Sequence, residues 1–218
     1  MTAMSSFVDL VFILVVVIDL FLLASSRLGA SIRNVAIQGA LLASLPLLLA
    51  GEGHHLGHAV LLAGGALAIK GFLIPWLMFR AIREASIRRE MEPIVGFVPS
   101  MVLGGVGVAL AFAFSSRLPL PDPATHAFLV PTALSTVWAG LLLVVTRKKA
   151  VSQVLGFLVL ENGVYVFGLL LSDVMPVMVE AGVLLDLFAA VFVMGIVMFH
   201  INREFSSLDT EKLSALKD

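Results

Sequence analysis

Long apolar runs separated by short polar loops make up most of the chain. A helix needs about 20 mostly apolar residues to cross a bilayer, and seven of these runs are long enough. Their apolar character is continuous and does not alternate from residue to residue, which favours helices over the strands of a membrane barrel. The predicted spans are residues 6–26, 33–51, 57–79, 93–115, 124–146, 150–172 and 175–200.

Basic residues lie almost entirely on one side of these predicted spans. Twelve of the 14 Lys and Arg residues fall in alternate loops or in the C-terminal tail, whereas Arg117 lies on the opposite side and Lys70 lies inside a span. Cytoplasmic loops of membrane proteins carry an excess of Lys and Arg. We therefore predict an all-α integral membrane protein with about seven spans, its N-terminus outside and its C-terminus in the cytoplasm.

Composition narrows the class of protein further. Of the 218 residues, 60% are hydrophobic and only 13% are charged, whereas a soluble domain carries about 25% charged residues. This composition argues against a soluble enzyme. A formal net charge of −1 without a long basic tract argues against a nucleic-acid partner. The chain has no cysteine, so it offers no thiolate ligands and no cysteine nucleophile. The lipid bilayer is its first expected partner.

A proline-rich loop divides the chain into two parts. The sequence SSRLPLPDPATH at 115–126 holds three of the nine prolines and predicts a stiff external connection. We predict a four-helix transmembrane unit at residues 1–120 and a three-helix transmembrane unit at residues 121–204. Residues 205–218 are then a cytoplasmic tail.

Four ionisable residues lie deep within the predicted spans, namely Asp19, Lys70, Glu161 and Asp186. At about 1.5 Å per residue, Glu161 lies about 16 Å from the inner surface, near the middle of a core about 30 Å thick. A charge near the bilayer centre costs at least about 2.5–3.5 kcal/mol, so such residues are candidates for function. We predict a lateral row that exchanges protons. The alternative is a lysine–carboxylate pair that only supports packing.

Two further residues extend this candidate proton path. Tyr165 lies one turn beyond Glu161 on the same helix face and is a candidate relay, and Glu180 lies nearer the outer end of the seventh span. On the roughly opposite face of the sixth span, Gly156 and Gly163 lie seven residues apart. We predict that a neighbouring helix approaches closely at these glycines.

Motifs for catalysis or for a cofactor are weak. The HHxxH sequence at 54–58 has a metal-ligand spacing, but it lies in an external loop with only Glu52 as a further ligand. The chain contains no GxGxxG and no P-loop motif. We therefore expect no metal or other cofactor in this chain and no catalysis by the chain alone.

The segment 133–205 resembles two families of small three-helix membrane subunits, the K-type subunit of respiratory complex I and the C-type subunit of multisubunit Na⁺/H⁺ antiporters. The resemblance is carried by TRKK at 146–149, GFLVLENGVY at 156–165 and LLDLFAAVFVMGIVMFHINREF at 184–205. It gives Glu161 the place of the acid in the second helix. It gives Asp186 the place of the acid in the third helix, with Glu180 as the alternative.

Over its full length the chain resembles the hydrogenase-4 component E family. The members of this family are membrane subunits of energy-converting NiFe-hydrogenase and formate hydrogenlyase-type complexes. The resemblance implies a subunit of an oxidoreductase complex in a bacterial or archaeal cell (inner) membrane, with the metal centres in other subunits. The chain would then provide part of a lateral proton or ion path beside antiporter-like partner subunits. The alternatives are a free-standing secondary transporter and a purely structural scaffold of the same complex.

Overall fold

The computed structural model describes residues 2–49, 56–84, 93–118 and 127–170, together with Gly195. Within these ranges the regular structure is helical and contains no strand. The helices in chain order are α1 (Thr2–Ala24), α2 (Leu28–Ala43), α3 (Leu45–Leu49), α4 (Leu56–Ala66), a π-helical segment (Leu67–Leu73), α5 (Ile74–Glu84), α6 (Phe97–Ser115), α7 (Leu129–Thr146) and α8 (Ala150–Leu170).

Five helical stretches among the described residues are long and apolar enough to cross a membrane. They are Ser6–Ala24, Leu28–Leu48, Phe97–Ser115, Leu129–Thr146 and Ala150–Leu169. They correspond to the first, second, fourth, fifth and sixth predicted spans, which confirms an all-helical fold with several candidate spans. The seventh predicted span lies outside the described residues except for Gly195. The total of seven and the orientation of the termini stay predictions.

The third predicted span is helical throughout, but its winding changes in the middle. α4, the π-helical segment and α5 follow one another without a gap, so each is shorter than a full span. The backbone N–H of Ile74 donates to the carbonyl of Ile69, five residues back, as in a π-helical turn. Pro75 follows immediately and has no N–H to donate to the carbonyl of Gly71. The wider turn therefore lies where an α-helix would lose a hydrogen bond in any case, and it carries Lys70.

α7 and α8 pack against each other closely enough for their backbones to touch. A Cβ atom added at Gly156 would lie 2.6 Å from the backbone nitrogen of Val144, and one added at Gly163 would lie 2.6 Å from that of Val137. Real Cβ atoms do not come so close, so only glycine fits at either position. The predicted close approach of a neighbouring helix is confirmed, and the neighbour is α7.

α1 and α2 share their apolar core with α7 and α8. One cluster of buried side chains joins Leu22 and Ile32 to Leu143 and Leu155. A second cluster, nearer the other ends of the helices, is centred on Phe12, Leu42, Ala133 and Val166. Helices from both predicted units thus contribute to both clusters, and the division at residue 120 stays a prediction.

Arg147 holds the turn between α7 and α8 against the ends of two other helices. Its Nη2 donates to the carbonyl of Leu23 at 2.7 Å, and its guanidinium carbon lies 4.9 Å from the ring centre of Phe97. One residue earlier, the carbonyl of Thr146 accepts a 2.7 Å hydrogen bond from the N–H of Ile94. These contacts fix the end of α1 and the start of α6 at the same turn.

We expect Gly163→Ala to destabilise the protein by about 1–3 kcal/mol, because the added methyl group overlaps the backbone of α7. The measurement is thermal unfolding of the detergent-solubilised protein. Gly168→Ala is the matched control on the same helix, since a Cβ atom there meets nothing within 4 Å. Equal unfolding midpoints for the two variants would contradict the close packing of α7 and α8.

Candidate intramembrane polar site

Six polar side chains from five helical segments meet in the interior of the fold. Each of these residues is no more than 6% exposed. They are Asp19 of α1, Gln38 of α2, Lys70 of the π-helical segment, Thr136 of α7, and Glu161 and Asn162 of α8. Buried polar groups of this kind are stable only when hydrogen bonds and opposite charges replace their contacts with water.

The ammonium group of Lys70 contacts a carboxylate, an amide and an aromatic ring. Its Nζ lies 3.5 Å from Glu161 Oε1, an ion-pair distance, and donates a 3.0 Å hydrogen bond to Asn162 Oδ1. The same Nζ lies 4.8 Å from the ring centre of Tyr165. Glu161 Oε1 is buried and forms no hydrogen bond with the part of the chain that the structure describes. The ion pair is therefore present but is not closed by a hydrogen bond.

A glycine of α2 brings the π-helical segment close enough for this arrangement. A Cβ atom added at Gly39 would lie 2.8 Å from the Cβ atom of Lys70. The absence of a side chain at Gly39 therefore lets Lys70 pass α2 and reach α8. The adjacent residue on α2 is Gln38, which belongs to the same polar cluster.

Asp19 accepts a separate hydrogen bond at each of its two oxygens. Gln38 Nε2 donates to Oδ1 at 2.8 Å, and Thr136 Oγ1 donates to Oδ2 at 2.6 Å. Gln38 is itself bound on its other side, because Asn162 Nδ2 donates to Gln38 Oε1 at 3.3 Å. A continuous series of hydrogen bonds therefore runs from Lys70 through two amides to Asp19.

A small cavity lies beside the Lys70–Glu161 pair. Its volume is about 10 Å³, which is close to the space that one water molecule needs. The side chains that line it are Val35, Lys70, Ile74, Leu158, Glu161 and Asn162. A water molecule here would have an ammonium, a carboxylate and an amide within its surroundings, which meets the polar requirement for a buried water site.

The structure brings four of the sequence-predicted site residues together: Asp19, Lys70, Glu161 and Tyr165. The other two, Asp186 and Glu180, lie outside the described residues, as do His54 and His55 of the histidine motif. Two neutral members of the cluster, Gln38 and Thr136, were not predicted from the sequence, whereas Asn162 is adjacent to Glu161 in the chain. Gln38 could have been identified from the sequence, because it is an amide in an otherwise apolar part of the second predicted span.

Comparisons with known proteins give one family model and several relatives. Residues 126–218 match the family model for NADH-ubiquinone/plastoquinone oxidoreductase chain 4L. Uncharacterized protein Rv0085 of Mycobacterium tuberculosis is 36% identical over 194 residues, which are 88% of this chain and 87% of that protein. The chain belongs to the complex I-like membrane subunits. Hydrogenase-4 component E of Escherichia coli K12, another relative, is 28% identical over 155 residues, which are 71% of this chain and 72% of that protein.

No solved structure matches this complex I-like subunit significantly. The segment that matches the family model contains Thr136, Glu161, Asn162 and Tyr165, whereas Asp19, Gln38 and Lys70 precede it. The polar cluster is therefore built partly from the matched segment and partly from helices that come before it in the chain.

We expect Lys70→Met to destabilise the protein by about 3–5 kcal/mol, because it leaves the Glu161 carboxylate buried without its opposite charge. Adding Glu161→Gln to this variant removes the unpaired charge and should restore most of the lost stability. Thermal unfolding of the single and double variants in detergent measures both effects. A double variant less stable than Lys70→Met alone would show that the pair is not electrostatically coupled.

Proposed function

We propose that this chain is a membrane-arm subunit of a complex I-like energy-converting hydrogenase or formate hydrogenlyase complex. In that complex it provides part of a lateral intramembrane path for protons or other ions, which couples redox chemistry in other subunits to ion translocation. The family of the chain and the relatives named hydrogenase-4 component E support the type of complex. The buried Lys70–Glu161 pair, 3.5 Å apart, is the observation that carries the proton path.

Lys70 and Glu161 are the pair that exchanges a proton in this proposal. When a proton leaves the Nζ of Lys70 and binds Glu161 Oε1, the products are a neutral amine and a neutral carboxylic acid, so no separated charge remains in the bilayer. The 3.5 Å gap is longer than a hydrogen bond between these groups. One water molecule in the adjacent cavity would accept from Lys70 and donate to Glu161, which closes the gap.

Four further residues have supporting roles in the proposal. Asp19 is a coupled charge at the far end of the hydrogen-bonded series. Tyr165, whose ring centre lies 4.8 Å from Lys70 Nζ, is a candidate relay through its hydroxyl. Asp186 of the predicted seventh span is the second main proton-exchanging group, with Glu180 as the alternative. This assignment rests on the resemblance of the segment 133–205 to K-type subunits.

The proposal includes a setting for the chain. In this setting the chain has seven spans in the inner membrane of a bacterial or archaeal cell, and the bias of Lys and Arg towards one side favours an N-terminus outside and a C-terminus in the cytoplasm. Antiporter-like membrane subunits are the proposed neighbours, and the metal centres belong to other subunits, so this chain holds no cofactor.

The geometry of the ion pair favours a path over a purely structural scaffold. A buried ion pair stabilises a scaffold most when both of its members form all their hydrogen bonds, because each unsatisfied donor or acceptor adds to the free-energy cost of burial. Here the Oε1 atom of Glu161 forms no hydrogen bond with any described residue, and a cavity the size of one water lies beside it. Glu161 Oε1 can therefore take up a new partner without breaking a hydrogen bond to a described residue.

We expect Glu161→Gln to abolish proton translocation while leaving electron transfer to a soluble dye nearly unchanged. The amide cannot bind and release a proton, whereas the redox centres are expected in other subunits. The measurements are proton uptake by inverted membrane vesicles and dye reduction by the same vesicles. Gln153→Ala is the control on the same helix, since Gln153 is exposed. Full proton uptake by the Glu161→Gln vesicles would refute the proposed role.

We expect the chain, when purified gently from its native membrane, to bring with it antiporter-like subunits and a hydrogenase large subunit. Mass spectrometry of the purified complex identifies the partners. Recovery as a homo-oligomer that transports ions without other subunits would instead support the secondary transporter and contradict the proposal.

A further inference from the structure

We propose that Gln38 and Asn162 form a directional amide link through which Asp19 acts as a second counter-charge for Lys70. The link holds the ammonium group on Asn162 and so limits its contact with Glu161. This inference rests on the proposed function, because it matters when Lys70 and Glu161 exchange protons. It assigns a positioning role to Gln38, a residue that touches neither member of that pair in a described contact.

The chemistry of the two ends fixes the direction of the link. Lys70 can only donate hydrogen bonds, and an ionised Asp19 can only accept them. Asn162 must therefore turn its carbonyl oxygen towards Lys70, and Gln38 must turn its amide nitrogen towards Asp19. The remaining nitrogen of Asn162 then meets the remaining oxygen of Gln38, at 3.3 Å. The donor character of Lys70 alone fixes both orientations, because each side-chain amide has one donor side and one acceptor side.

Hydrogen bonds arranged in this way strengthen one another. Each amide is polarised by the charge at its own end, since bonds to charged groups are stronger than bonds between neutral ones. The low dielectric of a buried site increases this effect along a chain of hydrogen bonds. The negative charge of Asp19 is thus felt at Lys70, although two amide side chains stand between them.

Lys70 lies closer to the link than to its carboxylate partner. Its Nζ is 3.0 Å from Asn162 Oδ1 and 3.5 Å from Glu161 Oε1. If Glu161 alone attracted the ammonium group of Lys70, we would expect the hydrogen bond to form with the Glu161 carboxylate. Among the described residues the hydrogen bond goes to Asn162 instead, and we attribute this geometry to the pull of the amide link. Removal of the charge at Asp19 weakens the link and lets Lys70 move towards Glu161.

Thr136 provides a contrast within the same cluster. Its hydroxyl donates to the Oδ2 atom of Asp19, whereas the link begins at Oδ1. A change at Thr136 therefore disturbs Asp19 without cutting the connection to Lys70. A change at Gln38 disturbs Asp19 and also cuts that connection, so the two positions separate a positioning role from a structural one.

The test is a double-mutant cycle between Asp19 and Lys70 in the intact complex. Asp19→Asn removes the charge but keeps an acceptor for Gln38, and Lys70→Arg keeps the charge but changes the geometry of its donors. Proton uptake per dye molecule reduced is measured for the two single variants and for the double variant. The cycle is repeated in the Gln38→Met background, which has a side chain of similar length without an amide.

We expect the two substitutions to be coupled by at least about threefold when Gln38 is present, and to be additive in the Gln38→Met background. In a Thr136→Val background the coupling should persist. Additive effects when Gln38 is present, or equal coupling in the presence and absence of Gln38, would overturn the inference. So would loss of the coupling in the Thr136→Val background, because Gln38 would then have no special role.

A second measurement does not need an active complex. The same cycle is followed by the midpoint of thermal unfolding of the detergent-solubilised protein, where coupling between Asp19 and Lys70 should again vanish only in the Gln38→Met background. The two proposals fail in different ways. Glu161→Gln vesicles that still take up protons refute the proton path, whereas coupling that is independent of Gln38 refutes the amide link alone.

Discussion

The positive charge of Lys70 is the constraint on which the rest of the site depends. An ammonium group in a bilayer must be given an opposite charge and hydrogen-bond acceptors, because bulk water is not available to solvate it. Glu161 supplies the charge at 3.5 Å, and Asn162 supplies an acceptor at 3.0 Å. The π-helical turn that carries Lys70 and the glycine that faces it on α2 both serve to bring this side chain to α8.

The same constraint explains why the first helices and the last described helices form one body. Apolar packing between helices gains little from the hydrophobic effect inside a bilayer, so polar contacts and close packing must specify which helices meet. Asp19 connects α1 to α2 and α7, and Gln38 connects α2 to α8. The segment that matches the family model, residues 126–218, therefore obtains the partners of its buried acid from helices that precede it.

The sequence was sufficient to predict five candidate membrane helices, three ionisable residues that are buried in the structure and the glycine contacts, because each leaves a local signal. Asp19, Lys70 and Glu161 interrupt apolar runs, and Gly156 and Gly163 share one helix face. The π-helical turn could not be predicted, since it depends on how Pro75 and Lys70 are accommodated together. Gln38 and Thr136 were missed for another reason. Neutral polar residues are tolerated in many membrane helices, and only the fold shows that these two meet Asp19.

The amide link also bears on how a proton path avoids leakage. Carboxylates and amines bind and release protons, whereas the side-chain amides of Gln38 and Asn162 only donate and accept hydrogen bonds. A proton on Asp19 therefore has no direct route through the link to Lys70 or Glu161. The electrostatic influence of Asp19 does pass through, because the two amides are oriented head to tail. Asp19 and Lys70, connected in this way, influence each other's protonation without exchanging a proton. A proton path needs such a connection wherever two groups must sense each other's charge but must not pass the proton directly.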